Sequence, residues 1–163
     1  MILSALFKNA DAFFYTYGLN KKFFKFYGVP EEKLFFHPCS VDNAFFESRA
    51  RALGSDRVTL RKDLGVKNPE LPAVLFSGKF IPRKRVRDLL MACAKLSGKT
   101  NFNVFLLGDG PQKNELMEFV KKHELKNVYF FGFKNQSELP LFYAASDIFV
   151  LPSEWDPSPK ALR

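Results

Sequence analysis

An alternation of strand-like and helix-like segments begins at residue 72, and it restricts the fold more than any other feature of this chain. Four short apolar runs recur, at Ala73–Ser77, Asn103–Leu107, Val128–Phe131 and Asp147–Pro152. Runs that are apolar on both faces suit parallel strands covered on both sides. Between the first two, Arg85–Leu96 places Val86, Leu89, Leu90, Cys93 and Leu96 on one helical face. A second helix continues through Leu116, Phe119 and Val120. Pro111 is expected at its first position, where a missing N–H has no intrahelical partner to lose. A third presents Leu139, Phe142 and Tyr143, after Asn135 and Glu138 at the spacing of a capping box. This alternation predicts an α/β fold, a doubly wound, Rossmann-like parallel sheet with right-handed crossovers. Such sheets bind ligands outside the carboxyl ends of their strands. Four loops therefore matter most: residues 78–85, 108–110, 132–135 and 153–160.

The preceding residues follow a different pattern. Residues 1–45 are dense in aromatic side chains, with strands expected at Ala12–Tyr17 and Lys33–His37 and a helix at Asn20–Tyr27 stopped by Gly28. The aromatic residues between positions 13 and 36 are assigned to a core rather than to a base-stacking surface. Residues 46–71 are charged and helical in pattern, with a helix end at Asp63-Leu64-Gly65 and turns at Asn68-Pro69 and Leu71-Pro72. The expected organisation is one piece over residues 1–45 and the sheet domain over residues 46–163.

Composition excludes several classes. A hydrophobic fraction of 47% belongs to a globular chain rather than a disordered one. No run of 18 apolar residues is present, so no spanning helix is expected. The opening MILSALFKNADAFF lacks a positive n-region and is interrupted by Lys8, Asn9 and Asp11, unlike a signal peptide. Cys39 and Cys93 make no disulfide framework and suit a reducing, cytoplasmic setting. Together with His37 and His123 they show no metal-ligand spacing, so no metal site is expected. His37 is assigned to strand-end packing. The formal charge of +8 fits an anionic partner or a solvated basic face.

Each loop admits two readings. Gly78-Lys79-Phe80-Ile81-Pro82-Arg83-Lys84-Arg85 opens a helix and belongs to a segment, Lys79 to Arg87, with five basic residues. It suits a diphosphate cradle, since helix N-termini favour anions, or a solvated basic loop. Gly108-Asp109-Gly110 reads as a turn, with Asp109 placed by the helix dipole and the glycines leaving room for a ligand. Gly132-Phe133-Lys134-Asn135 offers main-chain groups to a flat base, or is simply a strand end and cap. Ser153–Lys160 carries carboxylates suited to sugar hydroxyls and to a developing oxocarbenium ion, or is a polar loop with one exposed tryptophan.

In order and spacing these loops resemble the retaining glycosyltransferases of family 4, which have the two-domain GT-B fold. Gly78-Lys79 through Lys84 is similar to the family's G-R-x-x-x-x-K donor loop, with Lys79 in place of arginine. Leu107–Pro111 resembles its G-x-G-P turn, Val128–Phe133 its V-x-F-x-G strand and Ala145–Ser153 its A-D-x-x-x-x-P-S segment. Upstream, Gly28–Lys33 and Pro38–Asp42 resemble the stretch that ends the N-terminal domain, with Cys39-Ser40 replacing Asn-Gly. Asp156 stands at the first of two acidic positions eight apart. The second would be residue 164, so the chain is expected to be a donor-binding half cut within that motif, with residues 1–45 the end of the acceptor domain.

The resemblance implies a nucleotide-sugar donor, a UDP-, GDP- or ADP-sugar, and no cofactor. Lys79 and Lys84 would hold its diphosphate, with Lys84 and Asp156 the catalytic pair. Gly78, Gly108, Gly110, Gly132, Phe133 and Lys134 would contact the donor, and Ser158, Pro159 and Lys160 would offer main-chain N–H groups. It further implies a glycan or lipid-linked acceptor bound through the N-terminal half, surface polysaccharide or glycolipid synthesis, and peripheral membrane contact. The isolated chain would then be inactive. The alternatives are a non-catalytic nucleotide-binding or interaction module and a nucleic-acid-binding protein; the assignment of the aromatic residues to a core argues against the latter.

Overall fold

A computed structural model describes residues 2–54 and 56–156, which divide into two compact units, residues 2–41 and residues 42–156. In the first unit, α1 (Ile2–Lys8) precedes β1 (Phe13–Tyr15), α2 (Gly18–Phe26) and β2 (Leu34–Phe36). The polar residues from Lys8 to Asp11 end α1 rather than interrupt an apolar run, so a helix forms where none was expected. The strands pair in parallel, Phe13 opposite Leu34 and Tyr15 opposite Phe36. Phe13, Val29 and Leu34 form a small buried centre, against which Phe7 of α1 and Phe24 of α2 pack.

The assignment of these aromatics to a core holds for Phe13, with Tyr15 and Phe24 packed against it, and is corrected for five others. Phe14, Phe23, Phe26, Phe35 and Phe36 are exposed, Phe14 by 67% and Phe26 by 78%. Successive strand residues point to opposite faces. Helices cover the face of Phe13 and Leu34, while Phe14 and Phe35 meet on the other, 6.2 Å between ring centroids. With these rings exposed, burial no longer argues against a nucleic-acid surface.

In the second unit, α3 (Asn43–Ala52) and α4 (Arg57–Asp63) lead into the sheet. It is built from β3 (Ala73–Ser77), α5 (Val86–Leu96), β4 (Asn103–Leu107), α6 (Lys113–Lys122), β5 (Val128–Gly132), α7 (Leu139–Ala144) and β6 (Ile148–Phe149). All four strands are parallel, in the order β5-β4-β3-β6. This is the doubly wound sheet that the alternation predicts. Alternate residues feed two cores. Ala73, Leu75, Phe105 and Leu107 pack with Leu60 of α4 and Phe142 of α7. Phe76, Val104 and Leu106 pack with Val86, Leu90 and Cys93 of α5 and Leu116 of α6. Every residue of β4, the strand between two neighbours and two helical layers, is buried.

Three boundaries differ from expectation. The fourth strand is two residues long, because as an edge strand it pairs only with Val74 and Leu75. Pro111 precedes the cap of α6, Gln112, and lies in the turn rather than at the first helical position. Asn135 and Glu138 do form the reciprocal box: Asn135 Oδ1 accepts from the Ser137 and Glu138 N–H groups, and Glu138 Oε2 from that of Asn135. The turn they close lies just before α7, which starts at Leu139.

A buried ion pair ties the sheet to α4. Arg61, 3% exposed, donates to the carbonyls of Pro69, Leu71 and Ala145 and pairs with Asp147 at 2.5 Å. The same carboxylate oxygen accepts from Ala73 N–H at 2.7 Å, fixing the first residue of β3 beside β6.

Candidate functional site

Strand order locates the site. The chain leaves β3 for β4 and β5 on one side and returns to add β6 on the other. The direction of winding switches between β3 and β6, and the crevice outside their carboxyl ends is where ligands enter sheets of this type.

A cleft of about 630 Å3 opens at these strand ends. Its lining includes Ser77, Gly78 and Lys79 after β3, Leu107 to Gly110 after β4, and Phe133, Lys134 and Leu139 after β5. Of the residues singled out from sequence, Gly78, Lys79, Gly108, Gly110, Phe133 and Lys134 thus come together. Gly132, with φ of 72°, ends β5 in the left-handed region that favours glycine. Ser158, Pro159 and Lys160 lie outside the described residues.

The loops are fixed to one another by their main chains. Gly78 N–H donates to the Leu107 carbonyl at 2.9 Å, Phe80 N–H to Asp109 at 2.9 Å, and Gly108 N–H to Gly132 at 2.8 Å. These contacts account for two glycines expected to leave room for a ligand. A Cβ on Gly108 would stand 1.9 Å from the Gly78 oxygen, and one on Gly110 2.5 Å from the Phe80 oxygen. The close neighbour is the adjoining loop itself. Phe80, fully buried against Phe76 and Phe130, anchors that loop from below.

Charges at the cleft are unequally satisfied. Asp109 pairs with Lys113, and that contact, with the Gly110 N–H bond, holds its carboxyl below the usual value. Lys134 pairs with Glu138 at 3.1 Å; the Asn135 N–H bond first, then Lys134, holds the Glu138 carboxyl low. Lys79 makes no ion pair among the described residues and is exposed, a cation available to a ligand. Burial pushes the Tyr143 phenol up, opposed by its hydrogen bond with Ser77 on the cleft wall.

Lys84 closes a short 3-10 turn, Pro82–Lys84, and its side chain runs past Gly78. Its ammonium forms a close ion pair with Asp156, both side chains about 15% exposed. The 154–156 loop is also held to that turn by the main chain: Glu154 N–H donates to the Arg83 carbonyl at 3.0 Å, and the Arg83 guanidinium to that of Trp155 at 3.1 Å. Two candidates 72 positions apart thus meet directly across the switch point. Ser153, three positions before Asp156, carries a buried hydroxyl without a hydrogen-bond partner among the described residues. Among the described residues no three His, Cys, Asp or Glu side chains gather as a metal site.

The profile of the family described as Glycosyl transferases group 1 matches residues 58–162, most of the second unit. The chain belongs to this family. Among group 1 relatives, the 2-deoxystreptamine glucosyltransferase of Streptomyces kanamyceticus is 29% identical over 115 residues, 69% of this chain and 30% of that protein. The N-acetyl-alpha-D-glucosaminyl L-malate synthase of Bacillus anthracis is 31% identical over 100 residues, 61% of this chain and 25% of that protein. The chain spans about a quarter of the length of the curated relatives it matches. Solved structures share the fold. WaaG, a glycosyltransferase involved in lipopolysaccharide biosynthesis, superposes with TM-score 0.67 at 22% identity, over 84% of this chain and 36% of its own. Anabaena HepE in complex with UDP and glucose gives 0.64 at 22% identity, over 88% and 38%.

What sequence reasoning missed is the Arg61–Asp147 pair. Arg61 lies in a run of charges that reads as solvated, and its partner is 86 positions away. The A-D-x-x-x-x-P-S resemblance had already marked Asp147, and the structure gives that residue a positioning role.

Proposed function

We propose that this chain is the nucleotide-sugar-binding part of a retaining glycosyltransferase. It holds a UDP-, GDP- or ADP-sugar in the cleft at the strand ends, and the glycosyl group passes to a glycan or lipid-linked acceptor. The contact between Lys84 and Asp156 beside that cleft carries the reading. It puts a cation suited to a leaving diphosphate next to a carboxylate suited to a donor sugar, at the switch point of a family member's sheet. HepE, of the same fold, is described with UDP and glucose bound. Lys79 and Lys84 take the diphosphate charge without a metal ion, and Asp156 orients the sugar. Main-chain groups at Gly132 and Phe133 face the base. Residues 1–45 serve as the end of the acceptor-binding part. No helix among the described residues is long and apolar enough to cross a membrane. The +8 charge supports work at the anionic cytoplasmic face of one, where lipid-linked acceptors lie.

A thermal-shift series with UDP, UDP-glucose, GDP-mannose and ADP-glucose tests the reading. One donor class raises the midpoint, because a ligand bound only by the folded state stabilises it. No shift with any of the four, at millimolar concentration, refutes it. By calorimetry, Lys84→Ala weakens nucleoside-diphosphate binding by more than about 1 kcal/mol, the scale of a charge-assisted hydrogen bond. Unchanged affinity removes Lys84 from the site. The 163 residues alone do not turn over a nucleotide sugar with acceptor supplied, since they span about a quarter of their relatives; released nucleoside diphosphate coupled to glycoside formation would disprove this.

A further inference from the structure

Two residues other than glycine have a left-handed backbone among the described residues, and they sit in opposite contexts. Glu124 follows the last cap of α6, His123, where helices commonly end in that conformation. Arg85, with φ of 53° and ψ of 36°, stands at the start of α5, where the cap is ordinarily extended. Its Cβ makes this conformation costly, and glycine would adopt it freely. A strained residue persists only when its surroundings fix it, and such residues cluster at working sites.

Arg85 caps two elements at once, ending the Pro82–Lys84 turn and opening α5. Its N–H donates to the Pro82 carbonyl at 2.9 Å, and its carbonyl accepts from Asp88 N–H at 3.0 Å. Its Nε also donates to the Asp88 carboxylate at 2.5 Å. Main chain and side chain thus close one ring between Arg85 and Asp88. The helix cannot follow a change in that ring, because Val86 is fully buried in one core with Phe76 and Phe80. The two dihedral angles of Arg85 therefore decide where the turn, and Lys84 at its end, is aimed.

We propose that Arg85 and Asp88 are a positioning pair: their contact holds Arg85 left-handed, and the left-handed residue aims Lys84 at Asp156. Relaxing Arg85 into the extended or right-handed region would swing the turn on a fixed helix. That takes Lys84 from its partner and, through the bonds of Arg83 to Glu154 and Trp155, loosens the 154–156 loop. That Lys84 so aimed serves a diphosphate rests on the donor-site reading; the aiming itself does not.

Asp88→Ala is the decisive variant, because it removes a negative charge. Charge alone then predicts tighter binding of an anion, and so does a guanidinium freed to touch the diphosphate. Loss of position predicts weaker binding. Calorimetry with UDP on the full chain is expected to show binding weakened at least about threefold in Asp88→Ala, within the coupling range of neighbouring residues. Arg85→Gly, which keeps the left-handed backbone accessible but removes the brace, should act in the same direction. In a Lys84→Ala background neither substitution changes the affinity further. Without ligand, the sole tryptophan, Trp155, reports on the loop, and acrylamide should quench it more strongly in both variants. Unchanged or tighter UDP binding in Asp88→Ala overturns the proposal, as does an equal loss with and without Lys84, or unchanged quenching in both variants. If UDP does not move the melting midpoint of the unaltered chain, the donor reading fails, and quenching alone then decides the positioning.

Discussion

Two parallel sheets in this chain use similar residues and reach different ends. In β4, Asn103 through Leu107 are all buried. In β2, Leu34 is buried while Phe35 and Phe36 are exposed. The difference lies in what covers each strand. Among the described residues, β4 has a strand on either side and a helical layer on each face, and β2 has one paired neighbour and helices over one face only. An apolar run therefore specifies a strand, but whether it becomes core depends on the number of faces that the rest of the fold covers.

Truncating one ring on each side gives the sharpest test. Phe105→Ala, in the centre of β4, should cost about 3–5 kcal/mol, the usual range for a fully enclosed aromatic residue. Phe35→Ala, half exposed on β2, should cost under about 1 kcal/mol by the same chemical denaturation. Equal losses would mean that the covered and uncovered faces are energetically alike, which breaks the comparison.

A smaller effect concerns how the well-covered sheet is tied down. Asp147→Ala leaves the Arg61 guanidinium buried without its carboxylate and should cost about 3 kcal/mol. A loss below about 1 kcal/mol would show that the three carbonyls suffice to hold Arg61.

The smallest effect is electrostatic and sits at an exposed helix end. Asp56 caps α4, and its bonds from the Thr59 hydroxyl and N–H hold its carboxyl below the usual value. A lowered folded value means that this stabilisation is complete above the unfolded value and is lost as pH falls through the folded one. Asp56→Ala should therefore lower the melting temperature slightly at neutral pH and flatten the acid side of the stability profile. An identical acid limb in both proteins would exclude the cap as its source.

The sheet domain was legible because its signals are local. Ala73–Ser77 and Asn103–Leu107 fall where the apolar runs place them, since each run fills one strand between two helical faces. The fourth run overstates its strand, because edge pairing stops after Phe149. Other features depend on partners far along the chain. Nothing near Gly108 announces that the Gly78 carbonyl will approach it, and nothing near Arg61 announces Asp147. At the candidate site the resemblance named both Lys84 and Asp156. Residue types and spacing within either loop could not show that the two would meet, because the fold between positions 72 apart creates that contact.

That contact also sets a threshold. Any anion arriving at Lys84 has to displace a carboxylate tethered to the same fold, whose local concentration far exceeds that of a dilute solute. A single weak ligand such as free phosphate loses this contest. On the proposed donor reading, an anion with several simultaneous contacts along the cleft wins it, and the internal pair would then make Lys84 selective against small ions.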